Sequence, residues 1–257
     1  VGALNGRVLT WDGCLNTRDL GGLPLRGGGA TRFGQVIRSD NIRHLSDRGW
    51  AQLASHGVRT VLDLRFEEER SADPAAPAGI EVVGISLFGA HDPEEAARVD
   101  ELLRRARDPA EATGVLYADT LWSRHSCVAA SLGAIARAGE GAVVVHCFVG
   151  KDRTGIVSAL LLDLAGVEHE AIVEDYALTE GRVGPLVDTW IAEAVDPHER
   201  AYRERISGAP REAMESMLRM LRSRYGDARG YLLEAGLPEE DVRRIRDRLV
   251  GGTVDEP

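Results

Sequence analysis

A cysteine, then five residues, then an arginine and a threonine: Cys147, Arg153 and Thr154 stand at these offsets in the run His146-Cys147-Phe148-Val149-Gly150-Lys151-Asp152-Arg153-Thr154-Gly155. Together these residue types point to one kind of chemistry. A loop of backbone N–H groups closed by an arginine fork suits the oxygens of a phosphate group, and a thiolate at its centre is placed to attack phosphorus. Gly150 lets the backbone come close. The reaction implied is covalent: a phosphocysteine forms, the alcohol leaves, and water cleaves the intermediate. Cys147 and Arg153 are therefore candidate catalytic residues. Phe148, Val149, Gly150, Lys151 and Thr154 are candidate substrate-binding residues. Asp152 is the first candidate for the acid that protonates the leaving group, with orientation of water or of Arg153 as its other reading. Lys151 adds a second cation, suited to highly charged phosphates or to charge neutralisation in the transition state.

Two elements must position this run. Residues 142–146 (Ala-Val-Val-Val-His) form a short apolar, β-branched stretch of the kind that makes a buried strand. Residues 154–165 are rich in Ala and Leu, and Gly166 follows where a helix would be capped. The run is thus expected to be strand, tight loop and helix N-terminus. The helix dipole then adds positive potential at the loop, which favours both the bound anion and a thiolate.

Other loops need weighing. A buried cysteine after a strand is commonly inert packing, but arginine and threonine at these offsets with glycine inside the loop argue against that here. A nucleotide-binding loop is excluded, because Gly150-Lys151 is followed by Asp152 rather than Ser or Thr and Val145 stands where its first glycine should be. A sulfur-transfer loop is usually shorter and lacks the arginine–threonine ending.

With these residues in view, the chain resembles the protein tyrosine phosphatase superfamily, and within it the bacterial tyrosine and lipid phosphatases whose loop reads HCxxGKDRTG. The Lys151-Asp152 pair is that subgroup's mark. Further segments are similar in order and spacing: Asn16-Thr17-Arg18-Asp19-Leu20-Gly21-Gly22, Arg38-Ser39-Asp40, the stretch ending Asp63-Leu64-Arg65 with Glu69 following, Glu174-Asp175-Tyr176, and Tyr225-Gly226, Tyr231-Leu232 and Gly236-Leu237. The resemblance implies that Cys147 is the nucleophile, that Arg153 binds phosphate, that Asp152 takes part in acid catalysis and that Lys151 helps to bind charged head groups. Some relatives carry a further acidic loop after the next strand. Here that region reads Ser86-Leu87-Phe88-Gly89-Ala90-His91-Asp92-Pro93, which leaves Asp92 as a substitute acid, with Asp63 a further alternative.

The 257 residues suffice for one sizeable α/β domain: a mostly parallel sheet flanked by helices, with a C-terminal helical cap. One domain is expected over residues 1–250 and a disordered tail over 251–257. A net charge of −10 argues against nucleic acid and against broad binding to anionic membranes. No apolar run is long enough to span a bilayer, and no signal peptide is visible in a sequence that starts at Val1, so cytoplasmic residence is the expectation. Three cysteines, Cys14, Cys127 and Cys147, make no disulfide framework. Cys14 has a minority reading as a partner that protects Cys147 as a disulfide. The histidines are scattered without ligand spacing, so neither metal nor cofactor is implied.

Along the chain, residues 46–56 read as a short capped helix and 58–64 as a buried strand. Asp63 and Arg65 end that strand, where α/β sheets place ligand groups; a strand-end salt bridge is the equal alternative. Asn16, Arg18 and Asp19 read as a polar cluster bracing the phosphate loop, with substrate contact the lesser reading. Residues 80–87 read as a strand. Residues 93–107 read as a charged helix with a lid as second reading, and residues 117–138 as one helix. Helices follow over 169–179, 186–206, 210–224 and 238–250. Tyr176 reads as a core residue with a bonded hydroxyl or as a loop contact. The expected partner is a phosphate ester: phosphotyrosine or a phosphoinositide first, a small phosphorylated metabolite second, a non-catalytic phosphate-binding module last.

Overall fold

The structure, a computed structural model, describes residues 6–251. The tail expected over 251–257 therefore lies outside the described residues apart from Gly251. Five strands form one sheet: β1 (Arg18–Asp19), β2 (Val36–Ser39), β3 (Val58–Asp63), β4 (Glu81–Gly84) and β5 (Ala142–His146). Their order is β1-β2-β5-β3-β4, with β1 antiparallel to β2 and every other pair parallel. β5 is central and buried throughout, as its run of valines demands. Ser39 of β2 and Asp63 of β3 both lie opposite His146, so three parallel strands end side by side where Cys147 begins the loop.

Because strand side chains alternate between faces, β5 feeds two cores. Val143 and Val145 enter the larger one, and Ala142 and Val144 the smaller one with Trp11, Ile37 and Leu53. The smaller face is covered by α1 (Asp47–Ser55), capped by Ser46, whose hydroxyl accepts the Gly49 N–H at 3.1 Å. The larger face carries α4 (Pro109–Ser123), α5 (His125–Arg137), α6 (Asp152–Ala165) and α7 (His169–Ala177). α6 is buried along its length, and Gly166 closes it at φ +84°, a left-handed cap that suits glycine.

The remaining helices are α2 (Glu67–Arg70), α3 (Pro93–Arg105), α8 (Gly184–Ala192), α9 (Pro197–Ile206), α10 (Arg211–Tyr225), α11 (Ala228–Glu234) and α12 (Glu239–Val250). The expected C-terminal cap divides in two. α10 packs on α4 and α7, and α12 on α5 and α6, so these helices complete the main core. α8 and α9 instead stand beside α3 and α4 around a cavity.

Two expected helices are each a pair. The stretch 117–138 breaks at Arg124 (φ −120°, ψ 24°), and α4 starts earlier, at Pro109, where Asp108 accepts the Glu111 N–H at 2.8 Å. No proline or glycine marks Arg124, so packing against different partners on either side accompanies the break. The stretch 186–206 breaks at residues 193–196, and α9 restarts behind Asp196, which caps Glu199 N at 2.8 Å. Asp-Pro opens α3, α4 and α9 alike, a cap followed by proline at the first helical position. α11 went unassigned in the sequence; Asp227 caps it through Gly230 N at 2.8 Å.

Candidate active site

The loop turns out of β5 at His146 and enters α6 at Asp152. The first helical N–H to find a helical acceptor is that of Gly155, on Lys151 O at 2.8 Å. The N–H groups of Asp152, Arg153 and Thr154 thus have no intrahelical acceptor and are available to an anion. Gly150 has φ +73°, and a Cβ there would lie 2.5 Å from Ser39 O. Only glycine lets the loop lie this close to the end of β2. Cys147 is buried and lines a cavity of about 670 Å³ together with Phe148, Val149, Lys151, Asp152 and Arg153. Gly150 and Thr154 do not line it. Gly150 faces the scaffold, and the buried Thr154 hydroxyl has no hydrogen-bond partner among the described residues.

Arg153 is held in place from two sides. Its Nη1 and Nη2 donate to the Glu69 carboxylate at 2.6 and 3.2 Å. Its guanidinium also lies against the neighbouring Phe66 and Phe88 rings, 5.7 and 5.5 Å from their centroids. Burial works against its charge, but the Cys147 sulfur and the Glu69 carboxylate more than offset it and raise its pKa. Glu69 is itself fixed, accepting the Phe66 N–H at 2.9 Å in the first turn of α2. Two of the five guanidinium N–H groups are engaged by Glu69, leaving others for a ligand.

Asp152 also lines the cavity. Its Oδ1 accepts from the Tyr117 hydroxyl at 2.9 Å and lies 2.9 Å from Lys151 Nζ. Lys151 Nζ further donates to the carbonyls of Ile206 at 2.6 Å and Gly208 at 3.0 Å, just past α9. Two of its three ammonium protons are thus taken by backbone carbonyls, and the charge faces Asp152. Lys151 ties the loop to α9, where the sequence alone suggested a free head-group cation.

The N-terminal polar segment braces the loop from behind. Asn16 Nδ2 donates to the carbonyls of Val149 at 3.1 Å and Gly150 at 3.2 Å. Asp40 accepts the N–H groups of Leu15 at 3.0 Å and Asn16 at 2.9 Å, which fixes Asn16. Arg38 bridges Asp175 at 2.8 Å and the Gly150 carbonyl at 2.8 Å. Asp175 also meets Arg7 and Arg18, so one buried carboxylate faces three buried arginines. Burial raises its pKa, but the three guanidinium charges overcome this and hold the carboxyl far below the usual range. Asp175 thus reaches the loop through Arg38.

Asp63 and Arg65 lie elsewhere. Arg65 Nη2 and Nε bond Asp63, and the guanidinium also meets Glu69 O and Asp73. Neither residue lines the cavity. Of the two sequence readings, the strand-end salt bridge describes their geometry, and its effect on the site runs through the placement of α2 and Glu69. His146 is buried; burial first lowers its pKa, and its Nε2 lies 3.5 Å from Asp63. Asp92 lines the cavity but caps α3, accepting Glu94 N at 3.0 Å. Cys14 belongs to the smaller core and Cys147 to the larger one, on opposite faces of the sheet. Burial and then Asp40 push the Cys14 thiol up to about 12, so it stays protonated. Neither observation supports pairing.

Sequence reasoning set 93–107 near the pocket in its second reading, and Glu95, Ala96, Val99 and Asp100 of α3 line the cavity; it missed other walls, among them Phe66, Phe88, Leu116, Trp190, Tyr202 and Ile206. Only Phe66 and Glu69 carried a signal, their adjacency to Asp63-Leu64-Arg65. Tyr117 was read merely as a helix residue.

Comparisons with known proteins agree with this geometry. A tyrosine phosphatase family model matches residues 9–251. The chain is 31% identical to a tyrosine-protein phosphatase of Nostoc commune over 83% of this chain and 73% of that protein. It is 27% identical to the triple specificity protein phosphatase PtpB of Mycobacterium tuberculosis, over 86% of this chain and 93% of that one. A putative tyrosine-protein phosphatase of Cupriavidus necator is 28% identical over 95% and 89%. The loop at the end of β5, the arginine fork at the mouth of α6 and a match across nearly the whole chain lead to one conclusion: the chain belongs to the tyrosine phosphatase family and is a cysteine-dependent phosphatase.

Proposed function

We propose that the protein hydrolyses phosphotyrosyl esters through a phosphocysteine. The observation that carries this is the meeting of Cys147, Arg153 and Asp152 on one cavity wall at the N-terminus of α6. The Cys147 thiolate attacks phosphorus while the loop N–H groups and Arg153 hold the phosphoryl oxygens. The ester P–O bond breaks, and Asp152 gives its proton to the departing oxygen. Water then attacks the phosphocysteine, Asp152 takes the water proton, and inorganic phosphate leaves as the thiolate returns.

The cavity favours an aryl ester. Its lining surface is mostly apolar, and Phe66 and Phe88 lie beside the guanidinium that would hold the phosphate. Among the described lining residues the cations are Arg124, Lys151 and Arg153. Arg124 pairs with Glu95 at 3.2 Å, and Lys151 is engaged by two backbone carbonyls and faces Asp152, so a second or third phosphate of an inositide would have to compete with these partners. Phosphoinositide hydrolysis is the second reading and requires Lys151 to leave the carbonyls of Ile206 and Gly208. Free cysteines and a reactive thiol suit a reducing compartment such as the cytoplasm.

The test is turnover on phosphotyrosyl peptide, phosphoserine peptide, phosphoinositides, nucleotides and sugar phosphates, each beside Cys147→Ser. Phosphotyrosine is expected to lead by at least about tenfold, ~1.4 kcal/mol in transition-state binding. Faster turnover of one soluble metabolite would overturn the substrate reading, and turnover surviving in Cys147→Ser would remove the covalent mechanism.

A further inference from the structure

Asp152 has two carboxylate oxygens in unequal surroundings. Oδ1 takes the Tyr117 hydroxyl at 2.9 Å and faces the Lys151 ammonium at 2.9 Å. Among the described residues no hydrogen bond reaches Oδ2. Both groups that face Oδ1 are held in place. Lys151 is fixed by the carbonyls past α9, and Tyr117 is fully buried on α4.

A second tyrosine fixes the first. The Tyr176 hydroxyl, on α7, lies 2.7 Å from that of Tyr117, and the rings meet edge-on at 5.9 Å. A phenol has one proton. Burial, and then the Asp152 charge, keep the Tyr117 proton on its oxygen. That proton points to Asp152, so the Tyr176 proton must point to Tyr117. The chain runs Tyr176 to Tyr117 to Asp152 in one direction. Gly155 makes room for it: a Cβ there would stand 3.1 Å from the Tyr176 ring.

We infer that Tyr117, itself held by Tyr176, is a positioning residue that commits the transferable proton of Asp152 to Oδ2. With Oδ1 accepting the Tyr117 hydroxyl and facing the Lys151 ammonium, a proton added to the carboxylate is favoured on the other oxygen. Tyr117 thereby aims the acid without touching substrate. The inference rests on the reading of Asp152 as the general acid.

The experiment compares the wild type, Tyr117→Phe, Tyr176→Phe and Asp152→Asn on aryl phosphates running from phenyl to p-nitrophenyl phosphate. The readout is kcat/KM, which covers the steps up to departure of the alcohol. Phenyl phosphate needs the proton most, because its leaving group is the poorer one. Tyr117→Phe is expected to lower kcat/KM on phenyl phosphate by about 10-fold or more and on p-nitrophenyl phosphate by less than about threefold, the scale of one lost hydrogen bond to a charged group. Tyr176→Phe leaves Tyr117 in place and shifts the ratio in the same direction by less. Binding of inorganic phosphate by each variant serves as the folding control. Equal losses on both esters, or no loss, would overturn the inference while a steepened ratio in Asp152→Asn left the general-acid reading standing. A flat ratio in Asp152→Asn would remove Asp152 as the acid and this inference with it.

Discussion

Replacing Asp175 by asparagine tests what holds the catalytic loop from behind. Asp175 is nearly without solvent exposure, and so are Arg7, Arg18 and Arg38, whose guanidinium groups converge on it. The substitution keeps the shape and removes the one negative charge. Three buried cations then face each other across a neutral amide whose oxygen still accepts but whose NH2 turns donors toward a guanidinium. Removing one partner of a buried ion pair costs about 3–5 kcal/mol. For a chain of this length that lowers the melting temperature by roughly 6–20 °C. Urea unfolding at pH 7, with a thermal melt beside it, measures the loss. The pH dependence follows from the sign of the shift. The folded pKa of Asp175 lies below its unfolded value, so its contribution is complete above that value and fades as the pH falls through the folded one. The stability gap between wild type and Asp175→Asn should therefore narrow below about pH 4. Catalysis should suffer too, because Arg38 loses the carboxylate that aims it at the Gly150 carbonyl. A loss of less than about 1 kcal/mol, or a gap unchanged between pH 7 and pH 3, would refute the idea that this charge cluster anchors the loop.

Two further substitutions probe the loop directly. Gly150→Ala puts a Cβ 2.5 Å from Ser39 O at a positive φ, and should cost about 1–3 kcal/mol of stability along with most of the activity; an active, stable variant would mean that the loop has room the geometry denies it. Glu69→Ala releases both Nη atoms of Arg153, and should lower kcat/KM by about 10-fold or more, as expected for charge-assisted hydrogen bonds; a rise instead would mean that Glu69 competes with phosphate for the guanidinium.

By itself the sequence determined the chemistry. The offsets from Cys147 to Arg153 and Thr154 named the reaction class, because here the thiol, the fork and the glycine-bearing turn all lie within one short loop. The valine run of β5 and the Ala- and Leu-rich α6 were legible for the same local reason, and so was the glycine that ends α6. What packs across the chain was not legible. Arg124 carries no helix-breaking residue, so the division into α4 and α5 was invisible, whereas the Asp-Pro starts of α4 and α9 were present and overlooked. The tertiary structure alone decided two matters at the site and chose between the sequence's alternatives at a third. It gave Lys151 to the carbonyls of Ile206 and Gly208, it brought Tyr117 to Asp152 across 35 residues, and it selected the salt bridge for Asp63 and Arg65. A motif lists which groups are available. Which of them remain free for a ligand depends on partners far along the chain, and local spacing holds no information about those.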